Sequence, residues 1–324
     1  MFREPAGEAL LVYRLREHGR SYTGLIAALP AEQYDDGTLK RHEGTLSASE
    51  QQQLQLLLLR QAVVKPVLLT YPAQSAIDEL LREAVSGGER ALFVEDEPDI
   101  SHELFAVAAG SALERALRTA FAKTVPAAYI ADGHHRCATL SLYNRERAGR
   151  GEASVPLLAA LFSSEEVAVN PYHRIVQLPG KTSALSLMAR LSAVCAVAPL
   201  PELTAPGRRG ELTMVLHDEA FRLRWRRGST ADEIDPGRFN DEIATPLFGI
   251  TDIRTDQRVT YVPGAEGVRG ILDRVQHRPD LVGFLLHGIR PEDMFRVADA
   301  GGVMPPKSTW FEPRLRNGLC VMEI

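Results

Sequence analysis

Residues 130–136 read Ile-Ala-Asp-Gly-His-His-Arg, placing an acid, a glycine, two imidazoles and a guanidinium in direct succession after an apolar run. The mixture suits anion handling. Gly133 lets the backbone turn tightly, so that the following residues can open a helix whose unpaired N–H groups face a phosphate. Arg136 offers a fork of donors matched to phosphate oxygens, and His134 and His135 can donate hydrogen bonds or move protons near neutral pH. A solvated helix start would use the same residues, and so would a structural zinc pair. Zinc is disfavoured because Cys137 and His134 lack a matching second pair at metal-binding spacing.

Two further clusters carry chemistry. Lys40-Arg41-His42-Glu43 follows the turn-forming Asp35-Asp36-Gly37, and its neighbouring cations would keep Glu43 ionised as a general base, with His42 beside it. An exposed mixed-charge loop is the alternative. Near the carboxyl end, residues 304–311 join rigid prolines to Lys307, Ser308, Thr309 and two aromatics, a set that either grips a small anion or docks the chain terminus.

The elements that must position these clusters alternate in type. Residues 47–62 read as a helix with Ser47 as N-cap, and 65–71 as a short buried strand. A helix over 75–85 stops at Gly87-Gly88, and a strand follows over 91–95. Residues 103–121 read as a helix, 127–131 as the strand that delivers Asp132, 135–147 as a helix and 155–163 as an apolar strand. This rhythm predicts an α/β (α+β) layered core. The pattern changes near residue 165, so a first domain over 1–165 and a second α/β domain over 166–324 are expected. In the second, 210–228 alternates like a hairpin around His217-Asp218-Glu219, a capped helix starts at Asp235-Pro236, and a strand over 281–289 precedes a helix over 291–300.

Composition narrows the class. A 324-residue chain that is 45% hydrophobic can bury a large core, and its net charge of −5 supplies no basic field for nucleic acid. Three cysteines, widely spaced and odd in number, argue for a reducing compartment, hence the cytoplasm. The amino terminus lacks the charged and apolar halves of a signal peptide, and no apolar run is long enough to span a bilayer, so no membrane partner is expected.

Four segments together resemble the landmarks of a widespread family described only as of unknown function: YDDGTLKRHEGT (34–45), YIADGHHR (129–136), NPYHRIV (170–176) and GVMPPKSTWFEP (302–313). The Asp-Gly-His-His-Arg box also resembles that of free L-serine kinases, whose catalytic domain is similar to the ParB/sulfiredoxin superfamily. That resemblance implies a ParB/sulfiredoxin-like, nucleotide-binding catalytic domain at the amino end. It implies that Glu43, with His42, activates the substrate hydroxyl, and that Asp132, Gly133, His134, His135 and Arg136 bind nucleotide phosphates. Lys307, Ser308 and Thr309 would be contributed by the second domain to hold the amino acid. ATP or ADP and Mg²⁺ are the implied cofactors, with Asp132 as the metal ligand.

Departures sharpen the expectation. Sulfiredoxins place a cysteine directly after the box glycine, where this chain has His134. ParB proteins carry a Glu-Arg-Arg version and DNA-binding helices, whereas this chain is acidic overall. The leading expectation is a kinase moving a phosphoryl group from ATP or ADP to the hydroxyl of a free amino acid, L-serine first. A regulatory switch that binds or slowly hydrolyses ATP or CTP is the alternative. A metal-dependent hydrolase built on His134 and His135 ranks third.

Overall fold

The computed structural model describes residues 10–45, 47–180, 183–228 and 233–324. The chain divides into two units, Met1–Ala168 with Pro313–Ile324, and Val169–Glu312.

In the first unit the strands are β1 (Leu10–Glu17), β2 (Arg20–Leu29), β3 (Leu39–Lys40), β4 (Ala62–Val63), β5 (Val67–Tyr71), β6 (Arg90–Glu97), β7 (Ile100–Val107), β8 (Ala128–Asp132) and β9 (Leu157–Ser163). Its helices are α1 (Ser47–Arg60), α2 (Ser75–Gly87), α3 (Ala112–Thr124) and α4 (His134–Gly149). The expected N-cap at Ser47 lies outside the described side chains.

Eight of these strands form one sheet in the order β3-β8-β5-β9-β2-β1-β7-β6. Only β3 with β8 and β5 with β9 run parallel. The fold is therefore α+β, because antiparallel hairpins occupy the half of the sheet where further βαβ crossovers would have made it parallel. The β1–β2 turn is the two-residue His18-Gly19, both at positive φ, which matches the twist of the flanking strands.

One expectation fails here. Residues 103–121 do not form a single helix: β7 runs through Ile100–Val107, and α3 begins only after Ser111, whose side chain accepts from the Glu114 N–H. Cross-strand pairing with β1 decides the conformation of 103–107 over local propensity. Arg14 lies opposite Glu103, and its Nε donates to that carboxylate at 2.6 Å. Ile77, Leu81 and Ala84 of α2, Leu117 of α3 and Cys137, Leu140 and Tyr143 of α4 join Leu69, Ile130 and Ala159 of the sheet in one core. Each buried Leu or Ile there contributes roughly 1.5–3 kcal/mol.

The second unit contains β10 (Ala168–Asn170), β11 (Tyr172–Gln177), β12 (Cys195–Leu200), β13 (Glu211–Leu216), β14 (Glu219–Trp225), β15 (Val259–Pro263), β16 (Leu281–Leu286) and β17 (Trp310–Glu312). Its helices are α5 (Ala184–Val194), α6 (Asp235–Arg238), α7 (Thr245–Phe248), α8 (Gly267–Val275) and α9 (Pro291–Asp299). A six-stranded sheet runs β12-β14-β13-β16-β11-β15. The expected hairpin over 210–228 is β13 and β14, turning at His217-Asp218 with both φ positive. The helix expected from Asp235 is interrupted by a π-turn over Phe239–Ala244, just ahead of Pro246, which has no N–H to donate. The chain then returns to the first unit, where β18 (Met322–Glu323) pairs with β4.

Candidate active site

The site is built from the edge of the first sheet. Strand β8 is apolar and buried through Ala131, then ends at Asp132. Gly133 takes φ +110°, a conformation that a side chain strains, and turns the chain directly into α4. Strand β3 runs parallel to β8 with Leu39 opposite Ala128 and Lys40 opposite Tyr129, so residues 41–43 leave the sheet beside the start of α4. Two clusters separated by about 90 positions in sequence thereby become neighbours.

His134 is the junction. Its Nε2 accepts from the His42 backbone N–H at 3.5 Å, which leaves the ring proton on Nδ1, and Nδ1 lies 3.6 Å from Glu43 Oε2. The His42 and His134 rings meet edge to face at 4.6 Å between centroids. Burial pushes His134 well below its ordinary value, and the charges of His42, His135, Arg136 and Arg41 push the same way. Burial alone lowers His42 to about 4. Both rings are therefore neutral near pH 7. His134, expected on phosphate, presents an N–H edge towards Glu43, whose side chain is 36% exposed. His42 is fully buried and supports His134 rather than facing solvent.

Asp132 and Arg136 form the second half of the site. Asp132 Oδ2 accepts from Arg136 Nη2 at 2.8 Å, and Oδ1 accepts from Arg314 Nη1 at 3.4 Å. Arg136 Nη1 also donates to the Lys65 carbonyl at 3.0 Å and to the Pro66 carbonyl, bracing α4 against the entry to β5. A Cβ on Gly133 would come within 2.8 Å of Arg136 Nη2, so a side chain there would displace the guanidinium as well as strain the turn. Lys65 is half-buried; desolvation lowers its pKa, Asp132 pulls it back up, and Arg136 and Arg314 lower it further. His135 follows with Nδ1 buried and no hydrogen-bond partner among the described residues. Behind these groups, Asp35 accepts from Ser141 Oγ at 2.8 Å and from Arg145 Nη2 at 2.6 Å, tying the turn before β3 to α4.

The described residues offer no all-protein cage for magnesium, which ordinarily takes one or two carboxylates alongside substrate phosphates. Both Asp132 oxygens already face guanidinia, and among the described residues no group of three His, Cys, Asp or Glu side chains converges to hold a metal. Asp132, expected as a metal ligand, is the shared anchor of two arginines.

The carboxyl-terminal cluster lies in the second unit. Lys307 takes φ +54°, and its Nζ sits 5.1 Å from the centre of the Tyr172 ring. Ser308 is buried and its hydroxyl donates to the Pro305 carbonyl at 2.6 Å, which makes it a brace for the turn; Thr309 is also buried. Arg174 holds this segment from beneath, donating to the Lys307 carbonyl at 3.3 Å and to the Tyr172 carbonyl at 2.5 Å. It is wholly buried between Phe239 and Tyr261, and burial lowers it to about 10.

Sequence reasoning singled out the box and Glu43 but missed Lys65 and Arg314. A charged residue immediately before the buried run of β5 was the available signal for Lys65. Arg314 left none, since it meets Asp132 only through the return of the chain to the first unit.

No curated protein matches this chain. Among solved structures, it is similar to a carboxyl-terminally truncated SbnI from Staphylococcus aureus (11% identity, 91% of this chain and 85% of that one, TM-score 0.48). It is also similar to a free serine kinase variant in complex with ADP (15% identity, 91% of each chain, TM-score 0.44). A conserved hypothetical protein from Pyrococcus furiosus is a third (14% identity, 91% and 94%, TM-score 0.41). At such TM-scores these likenesses carry no functional weight. The model of a family described as protein of unknown function, DUF1015, matches residues 1–244, and the chain belongs to that family.

Proposed function

We propose that the first unit is the catalytic domain of a small-molecule kinase that moves a phosphoryl group from ATP or ADP to the hydroxyl of a free amino acid, L-serine foremost. The observation that carries this reading is the approach of Glu43 to the amino end of α4, with His134 Nδ1 3.6 Å from the carboxylate. Phosphoryl transfer asks a protein for positioning, charge neutralisation and a base, and little covalent work.

Glu43 accepts the proton of the attacking hydroxyl. His134, neutral and locked by the His42 N–H, holds the Glu43 carboxylate in orientation without adding a cation that would compete for its charge. Arg136, anchored on Asp132, supplies positive charge at the phosphates, with the N–H groups of Gly133 and the first turn of α4 beside it and His135 on the same turn. Magnesium would arrive with the phosphates and neutralise charge there, with Asp132 as the carboxylate beside it. The choice of L-serine rests on the motif resemblance. The ParB/sulfiredoxin-like ancestry of the first unit is proposed on the same ground. Three cysteines without a disulfide, two of them buried, are in keeping with a cytoplasmic site of action.

The test is incubation of the purified protein with Mg²⁺, ATP or ADP and a panel of free hydroxy amino acids, read by phosphorus NMR. Phosphoserine is expected, and Glu43→Gln should reduce turnover by about 10²–10⁴ while nucleotide still binds. Nucleotide binding without any amino-acid-dependent product would overturn the kinase reading in favour of a regulatory switch.

A further inference from the structure

We infer that Lys65 and Arg314, neither of which belongs to the Asp132–Arg136 box, complete with Arg136 a seat for the diphosphate portion of a nucleotide. The inference rests on the phosphotransferase reading for its ligand class and on its own observations for its residues.

Two guanidinia converge here on one carboxylate, and Lys65 adjoins them, its carbonyl accepting from Arg136 Nη1 at 3.0 Å. Arg136 and Arg314 share Asp132 at 2.8 and 3.4 Å, and Lys65 is close enough to feel all three charges. Two guanidinia and an ammonium grouped around one shared carboxylate favour an anion carrying more than one charge, as a diphosphate does. The cluster is reachable, since Asp132 and Arg314 side chains are 35% and 37% exposed.

The amino end of α4 adds to the field. Among the described residues no side chain caps Gly133, and the first turn contains no acid, in contrast to α3, where Ser111 and Glu114 occupy the equivalent positions. A helix of 16 residues thus presents its positive end beside two arginines and a lysine.

The cations are also placed by backbone rather than by chance contact of long side chains. Strand β18 pairs with β4, the Gly318 N–H donates to the Val64 carbonyl at 2.8 Å, and the Ile324 N–H donates to the Gln61 carbonyl at 3.2 Å. Arg316 closes on Asp96 from the same segment. Residues 61–65 and 313–324 are therefore laced together antiparallel, which brings Lys65 and Arg314 to the same end of the seam, beside Asp132. The Lys65 carbonyl in turn receives Arg136. Such preorganisation lets an anion be bound without the cost of ordering its partners.

The seat discriminates by phosphate number. A diphosphate can meet two or three of the cations at once, whereas a monophosphate engages fewer and loses the charge match.

The experiment is calorimetric titration of the full chain with ADP, AMP and inorganic pyrophosphate, for the wild type and for Lys65→Gln, Arg314→Gln and Arg314→Lys. ADP is expected to bind at least about tenfold more tightly than AMP, and each glutamine substitution should weaken ADP and pyrophosphate by about tenfold or more. Arg314→Lys, which keeps the charge, should recover part of the loss. Lys65→Gln leaves both Asp132–arginine bonds intact, so it separates anion binding from any loosening of the carboxyl-terminal segment. Pyrophosphate binding that follows the same pattern as ADP locates the effect at the phosphates rather than at the nucleoside. Unchanged affinity for ADP and pyrophosphate in either glutamine variant, or a wild type that binds neither probe, overturns the seat. The two readings fail separately. Arg314-dependent diphosphate binding with no phosphorylated amino acid overturns the kinase and leaves the seat, whereas phosphoserine formation with affinities indifferent to both substitutions does the reverse.

Discussion

Mild acid should destabilise the first unit through His42, and the size of the effect can be worked out. In the unfolded chain the imidazole titrates near 6.5, whereas in the fold burial lowers it to about 4. Between those values the unfolded state binds the proton and the folded state does not, so stability is fully present above pH 6.5 and drains away as pH falls towards 4. Linkage across that window gives a loss of about 2 kcal/mol at pH 5 relative to pH 7.5. His134, depressed in the same direction, adds to it. The assay is urea unfolding of the wild type and of His42→Phe at both pH values, followed by far-ultraviolet circular dichroism. Phenylalanine keeps a buried ring against His134 and leaves the backbone N–H that His134 accepts. The fall in stability between pH 7.5 and 5.0 should shrink by about 2 kcal/mol in His42→Phe. Carboxylate contributions are common to both proteins and cancel in the difference. An equal fall in the two proteins would refute the reasoning, because His42 would then have to be solvated or already charged in the fold. Both tryptophans, Trp225 and Trp310, lie in the second unit, so their fluorescence reports on that unit separately. The buried His173 there is also lowered to about 4, so fluorescence-detected unfolding should show its own loss of stability in acid.

Other expectations follow from the same geometry. Gly133→Ala combines a strained φ of +110° with a Cβ 2.8 Å from Arg136 Nη2. It should cost about 1–3 kcal/mol in thermal unfolding and weaken ADP binding, and an unaffected variant would mean that the turn is not held as described. Cys137 and Cys195 are buried thiols raised to about 12, whereas Cys320 is less deeply buried. A thiol reagent applied to the native protein at pH 8 should therefore modify Cys320 first, with the other two reacting only on unfolding; rapid modification of all three would contradict their burial. Together with the Glu43→Gln, Lys65→Gln and Arg314→Gln measurements, these separate the base, the turn and the anion contacts from one another.

The sequence by itself determined the local features of this protein. Apolar runs bounded by turn residues marked β5, β8 and β9, and the glycine at 133 marked the turn into α4, because strand burial and positive φ each demand particular residue types at adjacent positions. It also nominated Glu43 and the Asp132–Arg136 box, since paired charges and imidazoles within a few residues are legible without a fold. Tertiary structure decided what those residues do. That His134 lies beside Glu43 depends on β3 lying parallel to β8, a pairing between segments about 90 residues apart. That Ile100–Val107 is a strand depends on β1 lying beside it. Whether a histidine is charged depends on how much water reaches it, and His42 and His134 lose theirs only when the sheet edge and α4 close over them. Arg314 joins Asp132 because the last 12 residues of the chain fold back onto the first unit, a long-range contact that no local pattern encodes.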